Sequence, residues 1–285
     1  MPDRIEIVEV GPRDGLQNEP RPIETAEKIA LVDALSACGF ARIEAASFVN
    51  PRAVQQMADG AAVMAGIARR PGTRYTALTP NMRGYEAARA AGADKVAVFA
   101  AASETFSQRN INATIAESLA RFAPVLAAAS TDGIPVRGYV SCVVVCPYEG
   151  PIAPDKVARV AAALAEAGAG EISLGDTVGK GTPETVDAML EAVLQGLPAG
   201  RLAGHFHDTN GRALESVATA YARGLRIFDA AAGGLGGCPF APGAAGNLGT
   251  GKLVNWCAAQ GIETGLDRAA LTAAEAIATR LRPNA

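Results

Sequence analysis

Short apolar runs rich in β-branched residues alternate along the chain with longer Ala- and Leu-rich segments of helical period. The runs Ile5–Val10, Arg42–Ser47, Arg74–Leu78, Val96–Ala100, Val136–Cys142, Glu171–Leu174, Leu202–His207 and Ile227–Ala231 predict eight strands, each followed by a helical segment. Helix ends are marked between them. Gly39 follows the segment carrying Ile29, Val32 and Leu35, Gly224 closes the seventh helix, and Thr182 and Pro183 read as N-cap and first residue before Val186, Met189 and Val193. Eight βα units without a linker predict one α/β domain spanning residues 1–285, a (β/α)8 TIM barrel with a short C-terminal helical extension. The rival is a doubly wound open sheet. Its G-x-G-x-x-G is missing after the first strand, which runs instead into Gly11-Pro12-Arg13-Asp14-Gly15. In a barrel, chemistry sits at the C-terminal ends of the strands.

Composition narrows the function classes. A net charge of -3 with both signs interspersed leaves no basic face for a nucleic-acid backbone. No apolar stretch reaches the roughly 18 residues of a membrane span, and the opening segment reads as a strand rather than a basic leader. Five cysteines, an odd number without a secretion signal, argue against a disulfide framework and for a reducing, cytoplasmic setting.

His205 and His207, the chain's two histidines, fall in His-Phe-His-Asp at the end of the seventh strand. The side-chain period of two points both imidazoles to one face, towards the mouth of a barrel. By itself such a pair fits a hydrogen-bonded core pair and a shared metal ion equally well; its context favours metal. Asp14, ending the first strand, which closes the barrel beside the eighth and lies near the seventh, can supply the anionic ligand, or else an Asx turn in its glycine-flanked loop. Two imidazoles, a carboxylate and an amide or water oxygen describe Mg2+ or Mn2+ more than a thiolate-rich zinc site. Cys142 and Cys146 have no second pair to complete such a zinc set. Arg13 requires an acidic partner or an anionic substrate. Glu44, an acid in an apolar strand, is a candidate for that partner. Asp176, after Ser173-Leu174-Gly175, reads as a proton acceptor or as a cap through Thr177.

Residues 233–249 hold seven glycines and two prolines, which predicts an irregular lid loop with Cys238 at its centre and Asn247 near its end. A thiol there could transfer a proton, and Asn247 offers an amide oxygen or serves a turn.

The segments Val8–Glu19 and Gly234–Pro239 resemble the two signatures of the 3-hydroxy-3-methylglutaryl-CoA lyase (HMG-CoA lyase) family, and intermediate segments such as Val136–Cys142, Glu171–Thr177 and His205–Thr209 are similar to it as well. The resemblance runs from about residue 4 to about residue 266. It implies a metal-dependent TIM-barrel lyase that breaks 3-hydroxy-3-methylglutaryl-CoA into acetyl-CoA and acetoacetate, with one Mg2+ or Mn2+ held by Asp14, His205, His207 and Asn247. It further implies catalytic roles for Arg13, Asp176, His205 and Cys238, with Glu44 supporting Arg13. Gln17, Ser47 and Ser173, together with Arg13, fall on positions lining the substrate pocket, and Arg109 and Asn110 on a segment near the CoA arm. A homodimer or higher homo-oligomer is expected on the same ground. Gly251 departs from the family in replacing a frequent glutamate, Asn210 in replacing a frequent tyrosine, and Val143–Val145 departs before Cys146. The alternatives are a lyase for another branched 3-hydroxyacyl-CoA, such as citramalyl-CoA or a longer hydroxyglutaryl-CoA, a synthase running the condensation, and an inactive CoA- or metal-binding module.

Overall fold

The computed structural model describes residues 3–238 and 241–282, the side chains of 237–245 excepted. Eight parallel strands close into a barrel: β1 (Glu6–Glu9), β2 (Arg42–Ser47), β3 (Arg74–Leu78), β4 (Lys95–Ala101), β5 (Val136–Ser141), β6 (Glu171–Asp176), β7 (Leu202–Phe206) and β8 (Ile227–Ala230). Each pairs with its neighbours in sequence, and β8 returns to β1 through Glu6–Ile227 to Glu9–Ala230. The predicted β2 and β3 coincide with the observed strands; the others differ by one or two residues at an end. Helices α1 (Thr25–Ser36), α2 (Gly60–Gly66), α3 (Met82–Ala90), α4 (Glu104–Ile111), α5 (Ile115–Thr131), α6 (Pro154–Glu166), α7 (Pro183–Leu194), α8 (Ala213–Ala222) and α9 (Thr250–Ala259) surround the strands, and α10 (Arg268–Leu281) is the C-terminal extension. No described helix is long and apolar enough to cross a membrane.

Strand alternation divides the apolar residues unequally. The outward positions join the helices in one large core containing Ile43, Val98, Val140, Ile172 and Leu174. The inward positions form only a small apolar cluster of Leu78, Ala97 and Tyr139, because the remainder of the interior is charged or polar. Charge inside a barrel is tolerable only where it is paired, and the floor meets that condition. Arg42 donates to both oxygens of Glu171 at 2.8 Å and also binds Glu6. Arg137 lies 2.9 Å and Lys95 3.6 Å from the same Glu171.

Residues 233–238 and 241–249 are more ordered than their composition predicts. Ala232–Gly234 forms a 3-10 turn, and Gly237–Cys238 pairs antiparallel with Ala241–Ala245. Backbone hydrogen bonds from Gly246 to Gly236 and from Ala231 to Leu248 tie the segment back to the barrel. The expectation of wholly irregular structure is therefore corrected: local pairing satisfies backbone groups that glycine-rich composition alone leaves open.

Candidate functional site

The first site element is the turn Gly11–Gly15, where the carbonyl of Val10 accepts from the backbone N–H groups of Arg13, Asp14 and Gly15. Glycine is required at both ends. A Cβ on Gly11 would stand 2.6 Å from a Glu9 carboxylate oxygen, and one on Gly15 would stand 2.7 Å from Leu235. The turn thus packs directly against the start of the glycine-rich segment, which explains why chemistry-bearing residues at opposite ends of the chain meet. Glu9 faces the helix layer and fastens the same region, accepting from the N–H groups of Gly11 and Ala232 and from the Thr250 hydroxyl. Burial pushes its carboxyl up to about 7.

Asp14, His205 and His207 converge, each offering one donor atom within 4.8 Å of the others. His205 Nε2 lies 3.9 Å from Asp14 Oδ2. Burial would raise the Asp14 carboxyl, but Arg13, His205 and His207 together hold it far below the usual range. Burial and the neighbouring His205 lower His207 to about 4, so its imidazole is neutral at physiological pH. Its buried Nδ1 has no hydrogen-bond partner. An orphaned neutral imidazole beside an ionised carboxylate is the donor set a divalent cation needs. Asn247 reaches the site through an isolated bridge between its backbone and that of His207. Its amide nitrogen, not its oxygen, faces Asp14 Oδ2 at 2.9 Å and also donates to the Leu235 carbonyl.

Arg13 is buried between two acids, donating Nε to Glu44 and one terminal nitrogen to Asp14 at 2.5 Å. Burial opposes its charge, yet Glu44 and Asp14 outweigh that and raise its pKa. Glu44, fully buried, also accepts from the Tyr139 hydroxyl at 2.9 Å. The Tyr139 ring carries Arg137 at 4.9 Å and Arg13 at 5.5 Å from its centroid.

The remaining sequence candidates separate. Ser173 donates to Asp229 at 3.0 Å, inside the barrel below His205. Gln17 Oε1 and Ser47 Oγ are buried without partners. Ser47 also lines a cleft of about 730 Å³ at the ends of β2 and β3, which Arg52, Asn81 and Arg83 border. Asp176 is turned to the other face of β6: its carboxylate accepts from the N–H groups of Lys180 and Gly181. Burial raises its pKa. Thr177 instead accepts from the Cys142 N–H. Arg109 and Asn110 are exposed on the last turn of α4, with Arg109 stacked 4.3 Å over Tyr148. Cys238 lies on the short strand pair, but its side chain is outside the described residues.

Three functional neighbours escaped the sequence reading: Asp229, Arg137 and Tyr139. Asp229 sits between Arg137 at 2.6 Å and His205 Nδ1 at 3.0 Å. The signal was present, since an acid at an inward position of an apolar strand is as anomalous in Phe228-Asp229-Ala230 as in Ile43-Glu44-Ala45.

Comparison with known proteins points the same way. A family model described as HMGL-like matches residues 4–277. A Pseudomonas aeruginosa protein named 3-hydroxy-3-isohexenylglutaryl-CoA/hydroxy-methylglutaryl-CoA lyase is 53% identical, over 95% of this chain and 90% of its own length. A Danio rerio cytoplasmic 3-hydroxy-3-methylglutaryl-CoA lyase is 54% identical, over 94% of this chain and 80% of its own. The crystal structure of an HMG-CoA lyase from Brucella melitensis superposes with a TM-score of 0.97 at 58% identity, covering 98% of this chain and 99% of that one.

Proposed function

Because this chain belongs to the HMGL-like family, we propose that it is a lyase that cleaves 3-hydroxy-3-methylglutaryl-CoA to acetyl-CoA and acetoacetate with one divalent cation. The observation that carries the reading is the convergence of Asp14, His205 and His207 beside the buried guanidinium of Arg13.

Asp14, His205 and His207 would hold Mg2+ or Mn2+, with Asn247 alongside as the amide donor once its oxygen is turned inward. When bound, such an ion acts as a Lewis acid on the substrate's hydroxyl and carboxylate oxygens. Carbon–carbon scission turns the C3 hydroxyl into the ketone of acetoacetate, its proton passing to solvent, and places negative charge on the thioester enolate, which Arg13, held charged by Glu44 and Asp14, stabilises as it develops. Its anchoring on two carboxylates fixes the guanidinium before substrate arrives, so little reorganisation is left for the reaction step. Ser47 and Gln17 offer hydroxyl and amide groups around the acyl portion, Ser173 acts from beneath through Asp229, and the cleft with Arg52 and Arg83 offers charge for the phosphates of the CoA arm. Asp176 acts through the loop it fastens, and Cys238 is assigned the protonation of the departing acetyl carbon.

The experiment is a turnover assay on chelated protein with a panel of 3-hydroxyacyl-CoA thioesters, before and after Mg2+ or Mn2+ is returned. Acetyl-CoA and acetoacetate should form from the methylglutaryl substrate only with the cation. No cleavage of that substrate in its presence would overturn the reading. A second acyl group is supported by one observation, the two-substrate name of the Pseudomonas aeruginosa relative; a longer hydroxyglutaryl-CoA in the same panel separates a narrow from a broad acyl pocket.

A further inference from the structure

The two imidazoles at the site are held differently. His207 Nδ1 has no partner, whereas His205 Nδ1 meets Asp229 Oδ2 at 3.0 Å. Asp229 is fully buried on β8, and its other contacts orient it: Arg137 donates to Oδ1 at 2.6 Å and Ser173 to Oδ2 at 3.0 Å. Arg137 is itself fixed, with Nε 2.9 Å from Glu171 although out of line for a hydrogen bond. We propose that Asp229, aimed by Arg137 and Ser173, is a positioning residue that fixes the proton of His205 on Nδ1 and so presents Nε2 as a lone pair to the cation. The inference rests on the metal reading for its function, but its structural half stands apart from any ion.

The mechanism is one of forced polarity. A carboxylate can only accept, so the facing imidazole nitrogen carries the hydrogen, and in the neutral ring that a cation would bind the opposite nitrogen is a lone pair. In Asp229→Asn the cation of Arg137 draws the amide oxygen to itself and turns the NH2 towards His205. Nδ1 then becomes the acceptor and the proton moves to Nε2, which faces Asp14. A shape-conserving substitution thereby inverts the tautomer at a buried site.

The chain's two histidines make this directly visible, since long-range 1H–15N spectra contain two imidazole systems. On chelated protein, at a pH raised until both rings are neutral because burial is outweighed by Asp229 and Asp14, which favour the charged form of His205, the wild type should show His205 as the Nδ1–H form and His207 as a mixture. D229N should show His205 as Nε2–H, and Mn2+ titration should weaken by about 10- to 100-fold. An unchanged His205 tautomer, or unchanged Mn2+ affinity, in folded D229N overturns the proposal. Should D229N fail to fold, the wild-type spectrum carries the test: His205 as a pure Nδ1–H form is expected in chelated protein, and an Nε2–H or mixed form would overturn the proposal. Failure of wild-type protein to bind Mn2+ would instead remove the metal reading and leave the tautomer result standing by itself.

Discussion

The floor and the mouth of the barrel are built from the same strands, yet the floor is largely filled with ion pairs and the mouth keeps several buried polar atoms unpaired. At the floor Arg42, Lys95 and Arg137 lie 2.8 to 3.6 Å from Glu171, with Glu6 at the rim beside Arg42, and with Arg137 Nε out of line for a hydrogen bond. Burial lowers Lys95 to about 8, but Glu171 opposes that fall. At the mouth His207 Nδ1, Gln17 Oε1 and Ser47 Oγ are buried without partners. Such atoms cost free energy in a finished fold, so their clustering at the C-terminal strand ends marks the place where a ligand completes the structure. Saturated charge serves stability; unsatisfied valence serves function.

The largest expected break in this comparison comes from Arg13→Gln, which removes charge stabilisation from the mouth without removing a metal donor. Turnover should fall about a thousandfold or more while Mn2+ affinity stays near wild type. Steady-state kinetics beside a Mn2+ titration checks this, and near-normal turnover would reject the role. At the floor, Glu171→Gln leaves three buried cations short of their shared carboxylate. Chemical denaturation should show a loss of about 3 kcal/mol.

A smaller effect concerns Glu9, whose folded pKa of about 7 exceeds its ordinary value of 4.5. The folded state binds this proton more tightly than the unfolded state. Its contribution is therefore complete below about pH 4.5 and is lost as pH rises through 7, at up to about 1.4 kcal/mol per pH unit. Stability curves at stepped pH should show that slope in the wild type and a flatter one in Glu9→Gln. The smallest effect belongs to the exposed Asp155–Arg159 pair on α6, where Arg159→Ala should change stability by less than about 0.5 kcal/mol. A larger thermal shift would show that surface pairing is undervalued here.

Most of the barrel was legible because its strands are short apolar runs between glycine-marked helix ends, and β2 and β3 fall on the expected residues. The gathering of Asp14 with His205 and His207 followed from strand-end logic, since period-two alternation and barrel closure fix where such side chains point. The strand pair within residues 233–249 was not legible, because glycine permits many conformations and long-range backbone bonds choose among them. Nor were the contacts of Asp176, whose outward face depends on where β6 ends, or the pairing of Arg137 with Asp229 across 92 positions of sequence. The Gly251 departure also gains a physical account. A Cβ there would stand 2.7 Å from the carboxylate of Glu275, which reaches in from α10 and accepts from the Gly251 N–H. The C-terminal helix thus supplies an acid where the local sequence has none.

The central claim is most directly tested by titrating chelated wild-type protein and His207→Ala with Mn2+, reading free ion by electron paramagnetic resonance. One tightly held ion per wild-type chain and a marked loss of affinity in the variant are expected. Equal binding by both proteins, or none by the wild type, would contradict it.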